Sequence, residues 1–173
     1  AQSGGAMTPT APAPPSTQEI AAPVTPGFSI ENYIAGLAPN AYVVWVTDMC
    51  ATKYPNQDVY LCGYATVNLN GSNTDRVPIT LDRTLAQRYA PRVGVDRQVG
   101  LSVLVHEAAH ARQWFKYGGN IENAWTTSTG LTGRPAVEYM ADFATIVKLG
   151  YSTGTYTSTC DARDQAEAAT FWQ

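Results

Sequence analysis

The 173-residue chain has very few histidines: there are two, His106 and His110. A site built on three histidines of this chain is therefore excluded. Basic residues are sparse as well, 11 in all, of which only Lys53, Lys116 and Lys148 are lysines. The formal net charge is −3, and no basic stripe exists for a nucleic-acid backbone. No apolar run approaches the roughly 20 residues that span a bilayer. Cysteine is limited to Cys50, Cys62 and Cys160. Cys50 and Cys62 flank a polar loop between two strand-like runs and are the candidate disulfide, which leaves Cys160 over. A disulfide would suit a secreted or cell-envelope location.

Proline is unevenly spread. Six of the eleven prolines (Pro9, Pro12, Pro14, Pro15, Pro23 and Pro26) fall in residues 1–27, with Glu19 as the single charged side chain there. Proline removes backbone donors and favours extended conformers. Residues 1–27 therefore read as a Pro/Ala/Thr-rich flexible linker or tail, able to drape along the domain or into its cleft. Residues 28–173 read as one folded domain.

Within it, Ser29 can cap a short helix. Residues 41–46 and 59–69 are rich in β-branched and aromatic residues and are expected to pair as an antiparallel hairpin tied by Cys50 and Cys62. Asn70-Gly71 is a turn signal. Residues 76–81 read as a third strand, placed at an edge, or with Pro78 at its start, because proline cannot donate to a ladder. Such an edge near a metal site would align an extended peptide. Asp82 caps a short helix that ends before Pro91. Asp96 caps a long one, 97–117, apolar on most faces and stopped by Gly118-Gly119. A Gly/Asn/Thr/Ser-rich loop containing Trp125 follows. Pro135 then opens a helix that ends at Gly150, and Asp161 caps the last one.

The long helix carries His106-Glu107-Ala108-Ala109-His110. Two imidazoles four residues apart share a helix face and can bind one zinc ion. Glu107, about 100° further round, is placed to address a water on that ion rather than to act as an ordinary ligand. The longer H-E-x-x-H-x-x-G-x-x-H pattern fails at Gln113 and Lys116. The third ligand is thus a carboxylate, a cysteine or a group from outside the chain. Glu138 is the leading candidate. With Asp142 it presents two carboxylates at i and i+4, one to bind the ion and one to orient an imidazole. A lone H-E-x-x-H also arises by chance. Here it consumes both histidines and is followed by a two-carboxylate helix.

His106-Glu107-Ala108-Ala109-His110 with Glu138-Tyr139-Met140-Ala141-Asp142 resembles the gluzincin zinc metallopeptidases, whose pattern is H-E-x-x-H followed by E-x-x-x-D. The resemblance covers 106–142 and looks most like a minimal member. It implies an α+β, zincin-like fold: a small, mostly antiparallel sheet over the active-site helix, then a glutamate helix. It implies His106, His110 and Glu138 as ligands of one Zn2+, Glu107 as general base, Asp142 as partner of His106, and a peptide or protein substrate. Larger members stabilise the oxyanion with a downstream His or Tyr. No histidine remains here, so Tyr139, Tyr151, Tyr156 or an arginine would serve. Two competing expectations are a non-hydrolytic exported module, with zinc closed by a fourth ligand such as Cys160, and a latent peptidase blocked by a terminal segment.

Overall fold

A computed structural model describes residues 2–4 (backbone only), 27–49, 62–89, 99–152, 156–157 and 160–173. The architecture is α+β. Helices α1 (Ile30–Leu37), α2 (Val99–Tyr117), α3 (Gly133–Leu149) and α4 (Ala162–Ala169) pack with strands β1 (Gln2–Gly4), β2 (Ala41–Val46), β3 (Gly63–Asn68) and β4 (Val77–Asp82).

Local chemistry sets the ends of these elements. The Ser29 hydroxyl accepts the Asn32 N–H at the start of α1. Asp82 caps a short 3-10 turn that continues as a helical turn to Tyr89. Asp161 accepts the Asp164 N–H at the start of α4. Helix α3 ends at Gly150, whose φ of 83° a side chain would resist. The α3 start lies at Gly133, so Pro135 falls within the first turn, where its missing N–H costs nothing. Asp96, the expected cap of α2, lies outside the described residues.

The sheet corrects the expected strand pairing. Strands β2 and β3 do not form a hairpin, because β4 sits between them. Strand β4 pairs parallel with β2, Ala41 to Val46 against Val77 to Asp82, and antiparallel with β3. The sheet is therefore mixed: two of its three pairings among the described residues are antiparallel and one, β2 with β4, is parallel. Burial explains the order. Val77, Ile79, Thr80, Leu81 and Asp82 are all buried, so β4 suits the centre, whereas β2 is half-exposed along most of its length and suits an edge. Pro78 is tolerated because the β3 ladder reaches only from Leu81 to Ile79. The hairpin that does form joins β3 to β4, through a turn in which the Gly71 N–H bonds the Asn68 carbonyl. With Ile79 to Leu81 paired on both sides, that stretch of β4 is central and offers no edge to a peptide.

The outer edge of β3 carries β1, antiparallel, with Gln2 opposite Asn68, Ser3 opposite Val67 and Gly4 opposite Thr66. Part of the stretch expected to be a linker is thus strand; residues 5–26 lie outside the described residues.

Helix α2 is the centre of the packing. On one side Val103, Leu104, Ala108, Ala111 and Trp114 join Ile34 and Leu37 of α1 and Ala65, Val67, Ile79 and Leu81 of the sheet. On the other, Ala109 joins Met140, Ala141, Phe143 and Ala144 of α3, with Ala168 and Phe171. Polar ties fix it lengthwise. Asn40 Nδ2 donates to the Ala111 carbonyl at 2.9 Å, and Arg112 Nε to the Leu37 carbonyl at 2.7 Å. Trp114 Nε1 donates to the Ser72 carbonyl at 3.1 Å. Trp172 Nε1 closes the C-terminus onto the Ala144 carbonyl of α3 at 2.9 Å. No helix is long and apolar enough to cross a membrane among the described residues.

Candidate metal centre

His106 and His110 lie one turn apart on α2 and face α3, and both are buried. Helix α3 answers with Glu138 and Asp142, also one turn apart and buried. The small Ala109, Ala141 and Ala144 pack together where the two helices meet. The His106 and His110 Nε2 atoms are 3.2 Å apart. Glu138 Oε2 is 3.6 Å from His106 Nε2, and Glu138 Oε1 is 3.4 Å from His110 Nε2. A tetrahedral ion with donors at about 2.0–2.1 Å sets donor–donor edges of about 3.3–3.4 Å, so the three residues fit a zinc-sized cation. They form a possible metal-holding cluster of two imidazoles and one carboxylate.

The other ring nitrogens are held from behind. His106 Nδ1 is 2.7 Å from Asp142 Oδ1. A carboxylate only accepts, so Nδ1 carries a proton, and it is the Nε2 lone pair that His106 would offer to an ion once the second proton leaves. His110 Nδ1 is 2.7 Å from Gln113 Oε1, while Gln113 Nε2 donates to the Val137 carbonyl at 3.0 Å. The Val137 carbonyl accepts only, which orients the amide and fixes the His110 tautomer in the same sense. Gln113 is thus a supporting residue that sequence reasoning passed over. Its i+3 spacing from His110 was the available signal.

Two carboxylates carry the fit further. Both oxygens of Glu138 and both oxygens of Glu107 are buried and accept no hydrogen bond. Buried carboxylates without donors are costly and rare, so they mark a place built for a ligand. Burial opposes charge on His106, but the Asp142 and Glu138 carboxylates outweigh it and hold the imidazolium well above its ordinary range. Burial dominates at His110 and lowers it to about 4. Burial would raise Glu138, yet the two imidazoles bring it down to about 2. Glu107 is pushed well above the carboxylate range, first by burial. The Ala65 amide of β3 lies near enough to favour its charged form somewhat, without hydrogen-bonding geometry.

Of the three candidate tyrosines, Tyr156 reaches the cluster. Its ring stacks on His106, with centroids 5.9 Å apart and planes 13° from parallel. Its N–H and that of Thr157 donate to Asp142 Oδ2 at 3.0 and 3.1 Å. Burial and then the nearby Glu138 carboxylate hold its phenol protonated. Tyr139 packs against Phe143 and Tyr156 rather than the imidazoles. Tyr156 had no periodicity to betray it, because it arrives by a tertiary route.

Beside the cluster is a shallow recess with a cavity volume of about 10 Å³, room for about one water. It is lined by His110 and Glu138, by the apolar Val67, Ile121 and Val137, and by Glu122 and Arg134. The loop after α2 supplies Ile121 and Glu122, and is tied to α4 where Asp164 takes the Trp125 Nε1 and Ser128 N–H and hydroxyl donors.

The cysteines stand apart. Cys160 carries a free thiol that donates to the Asp161 carbonyl, is raised to about 11 by burial, and is not in the cluster. Four-ligand closure through Cys160 is therefore not formed. Cys62 is buried, and Cys50, its expected partner, lies outside the described residues.

Comparison of the chain with protein-family models, with curated proteins and with solved structures finds no significant match, so its chemistry has to be read from these residues.

Proposed function

We propose that the chain is a zinc-dependent peptidase of the gluzincin kind, with a zincin-like fold and a site made by α2 and α3. The observation that carries this reading is the cluster's composition: two imidazoles and a carboxylate, with Nε2 and carboxylate oxygens 3.2–3.6 Å apart, beside a buried, unpartnered Glu107. Three protein ligands, rather than four, is the count of a catalytic zinc site.

His106, His110 and Glu138 would hold the ion, with Asp142 and Gln113 fixing the imidazoles. When bound, the ion supplies an acidified water and a polarised carbonyl. Glu107 would serve as the general base, accepting a proton from the attacking water and passing it to the leaving amine. Its raised pKa brings its basicity closer to neutral pH, where such transfer is efficient. The Tyr156 phenol, kept neutral, donates to the oxygen on which negative charge develops. An extracytoplasmic setting would suit a Cys50–Cys62 bridge.

The test is hydrolysis of a fluorogenic unfolded protein by the full chain loaded with one equivalent of zinc. Activity should vanish with chelator, and Glu107→Gln should lower kcat by about 10²–10⁴-fold while zinc still binds. Absence of bound zinc, or activity indifferent to Glu107, would overturn the proposal.

A further inference from the structure

An extended peptide reaching Glu107 needs a sheet edge to lie against. The sheet has two outer strands around the β4 core, β2 and β3. Strand β2 packs with α1 and is separated from the metal cluster by β4 and β3. Strand β3 runs over α2, so close that a Cβ on Gly63 would stand 3.4 Å from Val103 Cγ1. It also touches the site at two points. Ala65 lies beside the Glu107 carboxylate, and Val67 lines the recess together with His110 and Glu138. The outer edge of β3 is thus the one that adjoins the site.

That edge is taken. Gln2, Ser3 and Gly4 run antiparallel along Asn68, Val67 and Thr66. Ser3 lies opposite Val67, which lines the recess, and Gly4 stops one β3 residue short of Ala65. We infer that Gln2–Gly4 holds the β3 edge that a peptide substrate requires, so that the chain competes with its own substrate and works fully only when this strand is displaced. The inference rests on the peptidase reading for what is blocked, but the occupancy of the edge does not. Antiparallel addition is a backbone interaction, so it needs no particular side chains at positions 2–4.

The experiment uses the full chain with Ser3→Pro and Gly4→Pro together. Neighbouring positions alternate between bonding and non-bonding pairs, so one of the two prolines removes a ladder donor whichever position bonds. In a Glu107→Gln background, a fluorescein-labelled heptapeptide of sequence AQSGGAM is titrated against both forms and followed by anisotropy. The double variant should bind it about five- to thirtyfold more tightly. With Glu107 present, the same change should lower KM for unfolded casein by that factor and leave kcat unchanged. Amide exchange at residues 66–68, slow in the parent chain, should quicken in the variant and slow again with peptide; this also reports that the rest of the domain remains folded. Equal binding by the two forms, including no binding by either, overturns the inference. Tighter binding without hydrolysis by any form upholds the occupied edge and sinks the peptidase reading. Hydrolysis with identical KM and binding does the reverse.

Discussion

Asp142 grips His106 from behind: Oδ1 lies 2.7 Å from the imidazole Nδ1, while Oδ2 takes the N–H groups of Tyr156 and Thr157. One carboxylate thereby joins a ligand to the segment that brings in Tyr156. Asp142→Ala should weaken zinc affinity by about 10–100-fold. Asp142→Asn should cost less, because an amide oxygen still accepts from Nδ1–H. Competition against a chromophoric chelator measures both, and an unchanged affinity in Asp142→Ala would remove Asp142 from the site.

Gln113 does the same for His110 through a neutral amide. Gln113→Leu leaves His110 Nδ1 and the Val137 carbonyl buried without these partners. The expected loss is about 1–3 kcal/mol of stability, read as a Tm lower by about 2–4 °C per kcal/mol. Zinc affinity should fall as well, which separates loss of tautomer control from loss of packing alone.

Glu107 predicts an inverse relation between stability and activity. Its folded pKa is raised well above the unfolded value, chiefly by burial. The folded state then retains a proton that the unfolded state releases once pH exceeds about 4.5, so Glu107 lowers the stability of the metal-free protein as pH rises. Glu107→Gln should therefore raise the metal-free Tm at pH 7 and have little effect near pH 4. Denaturation curves across that interval check the sign, and a variant less stable at pH 7 would contradict it.

At the far end of α2, Glu167 of α4 receives Lys116 Nζ at 2.7 Å and the Tyr117 hydroxyl. Burial alone would raise its pKa, but these two donors lower it. A carboxylate lowered on folding stabilises above its unfolded value and loses that contribution as pH falls through the folded value. The urea midpoints of the parent and Glu167→Gln should differ at pH 6 and converge towards pH 3. Because the Lys116 partner is partly exposed, the gap should be small and should narrow in high salt.

How much of this could be read from sequence depends on range. Helix caps at Ser29, Asp82 and Asp161 are local chemistry, and the sequence analysis names all three. The meeting of His106, His110, Glu138 and Asp142 was also legible, because i and i+4 spacing on two apolar helices leaves few ways to pack. Strand order was not. Turn residues and β propensity locate strands, but nothing local says that β4 inserts between β2 and β3; the uncharged, mostly apolar stretch Val77 to Leu81 was the clue, and Pro78 concealed it. Gln113 was compared only with a longer histidine pattern, which hid its plain i+3 relation to His110. Tyr156 and the pairing of Gln2–Gly4 depend on contacts distant in sequence, which residue periodicity cannot express.

Ala108 and Ala109 are neighbours in sequence, yet one packs in the sheet-side core and the other in the α3-side core. A helix clamped between two packings behaves like a slat whose seat is set by the thickness of both. A methyl gained on one side shifts it towards the other, and the imidazoles it carries move against Glu138. The spacing of His106, His110 and Glu138 can therefore be tuned by residues outside the cluster, in opposite directions from opposite sides. The size of cation the cluster would accept is adjustable from two interiors, without changing any of its three residues.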